Sequence, residues 1–167
     1  MTCQQLRYAA GMSTDEPWLT DEQQRVWRMW LEVTGLMPAV LHAQLHTDSA
    51  LSFPDFEVLS ELSEVDGRRM RVSDLARAIR WERSRLSHHI KRMQARALVQ
   101  REDCEDDARG ALVVLTQRGL DAVTMAAPGH VRTVRTLMFD PMSGDDLQAF
   151  AGVLGQLAAR LQAAIQR

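Results

Sequence analysis

The sequence predicts a mainly α chain with a small β-element, an α+β fold, and three observations carry that prediction. Apolar residues recur at helical spacing on both sides of a central segment. Within that segment, Leu98–Glu102 alternates apolar and polar residues and Ala111–Leu115 is rich in β-formers. The basic charge is also local. Between Gly67 and Arg101 stand eleven Arg and Lys against two acids, Asp74 and Glu82, a balance of +9 in a chain whose net charge is −2.

At 167 residues, with 46% apolar and 25% charged, the chain suits one globular domain able to bury a sizeable core. No apolar run approaches the length of a membrane span. The N-terminus lacks a basic segment followed by an apolar stretch, so no secretory signal is expected. Two cysteines, Cys3 and Cys104, do not make a disulfide framework. A cytoplasmic protein with free thiols is the expectation. Nothing resembles a Gly-rich phosphate loop, a GxSxG elbow or HExxH, so no enzymatic activity, cofactor or catalytic metal is expected.

Residues 1–17 are polar and aperiodic and read as a tail. Its Cys3 has only Arg7 nearby to stabilise a thiolate, which argues against a redox role. Thr20 to Leu45 reads as a long helix, capped by Thr20, with acids in its first turn. Val26, Trp30, Val33, Met37, Val40, Leu41 and Leu45 form its apolar stripe. Gly35 and Pro38 are expected to kink it, since proline removes one intrahelical hydrogen bond. His42 and His46 are four residues apart, a spacing that suits a metal pair but needs further ligands, from His130, Asp55 or another acid. The competing explanation is that both imidazoles simply face solvent.

Ser52 to Val65 reads as a second helix, with Ser52 and Asp55 as cap, Pro54 in its first turn, and Phe56, Leu59 and Leu62 facing inward. Asp66-Gly67 ends it, and Met70 to Val72 suits a short strand. Ser73 should cap a third helix with Leu75, Ala76 and Ile79 on one face. Trp81 and Glu82 make a turn. A fourth helix runs from Ser84 to Arg96, its buried stripe Leu86, Ile90, Met93 and Ala97. Arg85, Ser87, His88, His89, Lys91 and Arg92 are placed on its opposite face, where they could reach phosphates and base edges. Two strands follow, with an acidic tip from Asp103 to Gly110 between them. The acidic neighbours of Cys104 disfavour a thiolate there.

Thr116 caps a helix to about Phe139, with a bend or break expected near its middle at Pro128-Gly129. Ser143 and Asp146 open the last helix. Its Leu147, Phe150, Leu154, Leu157, Leu161 and Ala164 alternate spacings of three and four, a coiled-coil-like pattern that points to pairing of two chains. Packing within one chain is the alternative.

The order helix, turn, helix, hairpin is a helix-turn-helix followed by a wing. A concentrated basic segment in a near-neutral chain suits duplex DNA, where phosphate contacts release counterions. The alternative is a solvated helix face whose arginines pair with acids elsewhere. The segments SDLA (73–76), SRLSHHIKRM (84–93), ALVQRE (97–102), Asp107-Ala108-Arg109-Gly110 and Leu115-Thr116 together resemble the winged helix-turn-helix of MarR-family transcriptional regulators. The resemblance extends from about Trp18 to the C-terminus.

It implies three regions after the tail of 1–17: helices at 18–50 and 117–167 that form a homodimer, and a winged reading head at 51–116. The dimer would act as a repressor on a near-palindromic double-stranded operator, with helix 84–96 in the major groove. Ser84, Arg85, Ser87, His88 and His89 are the candidate base and phosphate contacts. Ser73, Arg80, Lys91 and Arg92 complete the set, chiefly against phosphates. Arg109 would enter the minor groove with Asp107 holding its guanidinium. A small aromatic effector that releases DNA is also implied, and Trp27, Trp30, Phe56 and Met70 are the residues that could line its cavity. The sequence departs from the family at Ala97, where glycine is common, and in the acidity of the wing tip, which repels phosphate. A winged helix that binds protein and no DNA is the alternative function.

Overall fold

A computed structural model of the chain describes residues 18–104 and 107–165, with the backbone alone at 103, 104 and 107–110. The tail with Cys3, and the side chains of Cys104, Asp107 and Arg109, lie outside the described set. Helix α1 spans Asp21–Ser49. Thr20 and Gln23 cap it reciprocally, the Gln23 side chain accepting from the Thr20 N–H at 2.9 Å and the Thr20 hydroxyl from the Gln23 N–H at 3.2 Å. The helix is continuous through Gly35 and Pro38. Proline removes a single rung of the ladder, and the long helix on either side supplies the rest.

The chain divides at Pro38–Ala39 into two units. The first carries Val26, Trp27, Trp30 and Val33 exposed. The second holds the hydrophobic core.

Helix α2 (Phe53–Glu64) has the expected capping box of Ser52 and Asp55, with Pro54 in its first turn. It buries Phe56, Val58, Leu59 and Leu62. A 3-10 turn (Asp66–Arg68), with Gly67 at φ +68°, leads into strand β1 (Arg69–Arg71). Glycine suits that left-handed conformation because it has no Cβ to clash. Helix α3 (Val72–Ala78) then starts two residues earlier than a cap at Ser73 would place it. Its N-cap is Arg71, which makes no side-chain cap bond, and Ser73 lies inside the helix, exposed.

Helix α4 (Arg83–Ala95) buries Leu86, Ile90 and Met93, as expected, and also His89. Ala97 lies beyond its end at φ +57° and is exposed rather than on the buried stripe. Strands β2 (Val99–Cys104) and β3 (Asp107–Leu115) are longer than the sequence suggested and take in much of the acidic tip. Backbone ladder bonds do not depend on side-chain polarity, so pairing propagates outward until the register shifts at Asp103/Cys104. The sheet is antiparallel with order β1-β3-β2. Met70 pairs with Val113, and Val99 with Leu115.

Helix α5 (Gln117–Val134) is capped by the Thr116 hydroxyl, which accepts from the Gly119 N–H at 3.0 Å. It passes through Pro128 unbroken. Pro128 is exposed, as is Thr124, whose carbonyl would have been its partner, so water can take the missing bond's place. A π turn (Arg135–Phe139) follows. Helix α6 (Gly144–Ile165), capped by Ser143 and Asp146, buries no residue, and Leu147, Val153, Leu157 and Leu161 are exposed along it. The core joins α2, α3, α4, the sheet and the start of α5 around Leu59, Leu75, Leu86, Ile90, Val99 and Val113. The fold is thus mainly helical with a small three-stranded antiparallel sheet. Among the described residues no helix is long and apolar enough to cross a membrane.

Candidate nucleic-acid interface

The core fixes which face of α4 looks outward. Leu86, Ile90 and Met93 are almost completely buried. Ser84, His88 and Lys91, at spacings of four and three, share the opposite face and are exposed. Arg85 and Arg92 flank it on one side, both exposed, and half-buried Ser87 on the other. The Ser87 hydroxyl donates to the Arg83 carbonyl at 2.9 Å and keeps its lone pairs for an incoming donor. Arg80, exposed in the turn between α3 and α4, takes φ +56° there. Of the two acids in the basic segment, Asp74 lies 3.3 Å from Arg77, a pairing one turn apart on α3. The outward surface of α4 thus presents the hydroxyl of Ser84, the imidazole of His88 and the cations Arg85, Lys91 and Arg92.

His89 is the correction. The sequence reading placed it on the outward face, yet its residue is 5% exposed. Nε2 lies 3.1 Å from Asp55 Oδ1, at contact distance though off the ideal hydrogen-bond direction. Nδ1 lies 2.9 Å from Arg92 Nη2. The ring also meets the Trp81 indole edge-on, at 5.4 Å between centroids. The signal was legible: His89 stands three residues after Leu86 and four before Met93, with Arg96 a further two turns along the same flank.

Asp55 is the residue whose wider role sequence reasoning missed. Beyond capping α2, it is buried at 2% exposure and receives Arg96 Nη1 at 2.7 Å and the Ser52 N–H at 2.9 Å. Arg96 in turn donates to the Ala50 carbonyl at 3.0 Å. One carboxylate therefore ties the end of α1, the start of α2 and two points on α4. Burial opposes its charge more than any other single influence. The close approach of His89 and the bonds from Ser52 and Arg96 together outweigh burial and hold the carboxyl well below the usual carboxylate range. On the same flank the Arg85 guanidinium stacks over Trp81, 4.1 Å from the ring centroid. Glu57 of α2 is pushed upward by burial, against the pull of Arg85 and His89.

The residues expected to line an effector cavity do not share one role. Phe56 belongs to the core, its ring 4.4 Å from that of His130, whose pKa burial lowers. Met70 packs on the core from β1. Trp27 and Trp30 are exposed on the first unit. A groove of about 710 Å³ lies between α2 and α5, walled by Phe56, Leu120, Val123 and Ala127 with Arg132 and Arg135 beside them. Met70, Trp27 and Trp30 do not line it. His42 accepts the Phe53 N–H at 3.3 Å, and its ring lies 6.1 Å from that of His46. Among the described residues no group of three acids, histidines or cysteines is placed to hold a metal ion.

Comparison with known proteins bears on this geometry. A family model described as MarR family matches residues 51–110. The fold is similar to that of AbsC, a MarR family transcriptional regulator from Streptomyces coelicolor. The two are 42% identical over 89% of this chain and 99% of that one, with a TM-score of 0.82. Sco3205, a MarR family transcriptional regulator from the same organism crystallised in complex with DNA, is 35% identical over 86% of this chain and 90% of that one, with a TM-score of 0.81. An E. coli MarR mutant complexed with operator DNA shares the fold at 17% identity, over 84% of this chain and 99% of that one, with a TM-score of 0.72. A comparison with curated protein sequences finds no match.

Proposed function

This chain belongs to the MarR family of transcriptional regulators, and from that premise we propose that it is a repressor that reads a near-palindromic operator as a homodimer. The observation that carries the reading is the outward face of α4. Ser84, Arg85, His88, Lys91 and Arg92 are exposed there, opposite a fully buried stripe, so the helix is held by its back and presents its donors to a major groove. Arg80 and Ser73 extend the same polar surface to the phosphates. Arg109, with Asp107, is assigned to the minor groove.

The dimer rests on α6, along which Leu147, Leu157 and Leu161 are exposed. A second copy covers those leucines and sets two α4 helices about one turn of DNA apart. The enzyme reading is excluded by family. A small aromatic effector, where one acts, enters the groove between α2 and α5, because Phe56, Leu120, Val123 and Val131 give it apolar wall among polar neighbours and α2 also carries Asp55 and Glu57 against the reading helix.

The test is in vitro selection of bound fragments from genomic DNA. Enrichment of a near-palindrome supports the proposal. A folded, dimeric protein that enriches nothing would point instead to a winged helix that binds protein.

A further inference from the structure

The buried His89 is in contact with one of the exposed cations, and the chemistry of that contact fixes a role. The Arg92 guanidinium has five N–H donors and no acceptor. At 2.9 Å from Nη2, His89 Nδ1 must therefore be the acceptor, with its lone pair toward Arg92. The ring proton then sits on Nε2, which faces the Asp55 carboxylate at 3.1 Å. A carboxylate beside Nε2 favours that tautomer over the other. Asp55 is itself fixed by Arg96 and Ser52, and Trp81 bounds the ring on another side.

We propose that His89 is a positioning residue for DNA binding: held in its Nε2–H form by Asp55, it anchors the Arg92 guanidinium on the flank of α4, where Arg92 meets a phosphate. Without the anchor, a long arginine would have to be ordered at the moment of binding, at the cost of its side-chain entropy. His89 thus contributes to DNA affinity while touching no DNA. The inference rests on the DNA-reading proposal above. It separates from that proposal because the tautomer can be observed in the free protein.

Two measurements test it. The first is side-chain 15N NMR of His89 without DNA, which should show the Nε2–H form; an Nδ1–H form overturns the inference whatever the protein binds. The second is DNA titration against salt for the wild type, Arg92→Ala, His89→Gln, His89→Asn and the double variant of Arg92→Ala with His89→Gln. Gln keeps a donor toward Asp55 but places no acceptor where Nδ1 stands, whereas Asn keeps an acceptor there. Arg92→Ala should lower the salt slope by about one, as loss of a phosphate contact does. His89→Gln should lower operator affinity several-fold at every salt concentration while keeping the wild-type slope, because Arg92 still meets its phosphate at an added ordering cost; in the Arg92→Ala background it should cost nothing further, and His89→Asn should retain wild-type affinity. A folded His89→Gln with wild-type affinity, or with a loss that persists undiminished in the Arg92→Ala background, overturns the proposal. If His89→Gln fails to fold, His89→Asn decides: retained affinity supports the anchor and a reduced one overturns it. A wild-type protein whose DNA binding is insensitive to salt would sink the DNA reading itself.

Discussion

Gly119→Ala is the substitution for which the fold makes the sharpest demand. In an exposed helix interior the change would stabilise by about 1 kcal/mol, because alanine is the better helix former. Here an added Cβ would stand 2.1 Å from the Leu98 carbonyl oxygen and 2.8 Å from Leu115 Cδ1. An ordinary carbon–oxygen approach is about 3.3 Å, so helix α5 or the Leu98 peptide must move by more than an ångström. The same carbonyl accepts from the Thr116 hydroxyl at 2.9 Å and the Thr116 N–H at 3.3 Å, and Thr116 caps α5 through Gly119 at 3.0 Å. Losing two or three of these bonds costs about 1 kcal/mol each, and the overpacking about 1–3 kcal/mol more. Sterics outweigh propensity, and the net is roughly 2–5 kcal/mol of destabilisation, or about 5–15 °C in a domain of this size. Because Leu98 follows directly on the exit from the reading helix, operator affinity should fall as well. Thermal and urea melts at fixed protein concentration are the assay. A variant that melts at or above the wild type would refute the close docking of α5 on Leu98.

Ala97→Gly should act in the opposite direction. Ala97 holds φ +57°, and releasing an L-residue from that region should stabilise by about 0.5–1 kcal/mol after the added chain entropy of glycine; a lower melting temperature would contradict it. Asp55→Ala should destabilise by about 3–5 kcal/mol, since it leaves His89 and Arg96 without their carboxylate. The folded carboxyl is depressed below its unfolded value, so its contribution is complete above about pH 4–5 and is lost as pH falls toward the native value. Urea midpoints between pH 3 and 7 should therefore show the gap between wild type and Asp55→Asn closing toward acid, and a pH-independent gap would count against the network. Leu161→Glu on α6 should shift the protein to monomer in light scattering, while an unchanged dimer would remove that face from the interface. His88→Ala should relax sequence preference in a repeated selection; a uniform loss of affinity across operators would make it a phosphate contact.

Most of the architecture was legible because it rests on periodicity and short-range capping. The stripe Leu86, Ile90, Met93 and the box of Ser52 with Asp55 can be read within a few residues of chain. What escaped depends on contacts far apart in sequence. Asp55 and Arg96 are 41 residues apart, and no local pattern says that the cap of one helix is also the anchor of another. His89 was misplaced because polarity was read ahead of position, although it borders the buried stripe. The length of the wing strands was underestimated because acidic side chains suggested a loop, whereas backbone pairing ignores them. Ala97 was legible as an anomaly, and its left-handed backbone explains why glycine would suit that position.

The measurement that tests the central claim most directly is a titration of the purified protein against an enriched operator at two salt concentrations, beside a scrambled duplex of equal length. The account predicts tight binding of the operator, weaker binding of the scrambled sequence, and affinity that falls steeply as salt rises, because cations of α4 displace counterions from phosphates. Equal affinity for both duplexes, or binding that salt does not weaken, would contradict it.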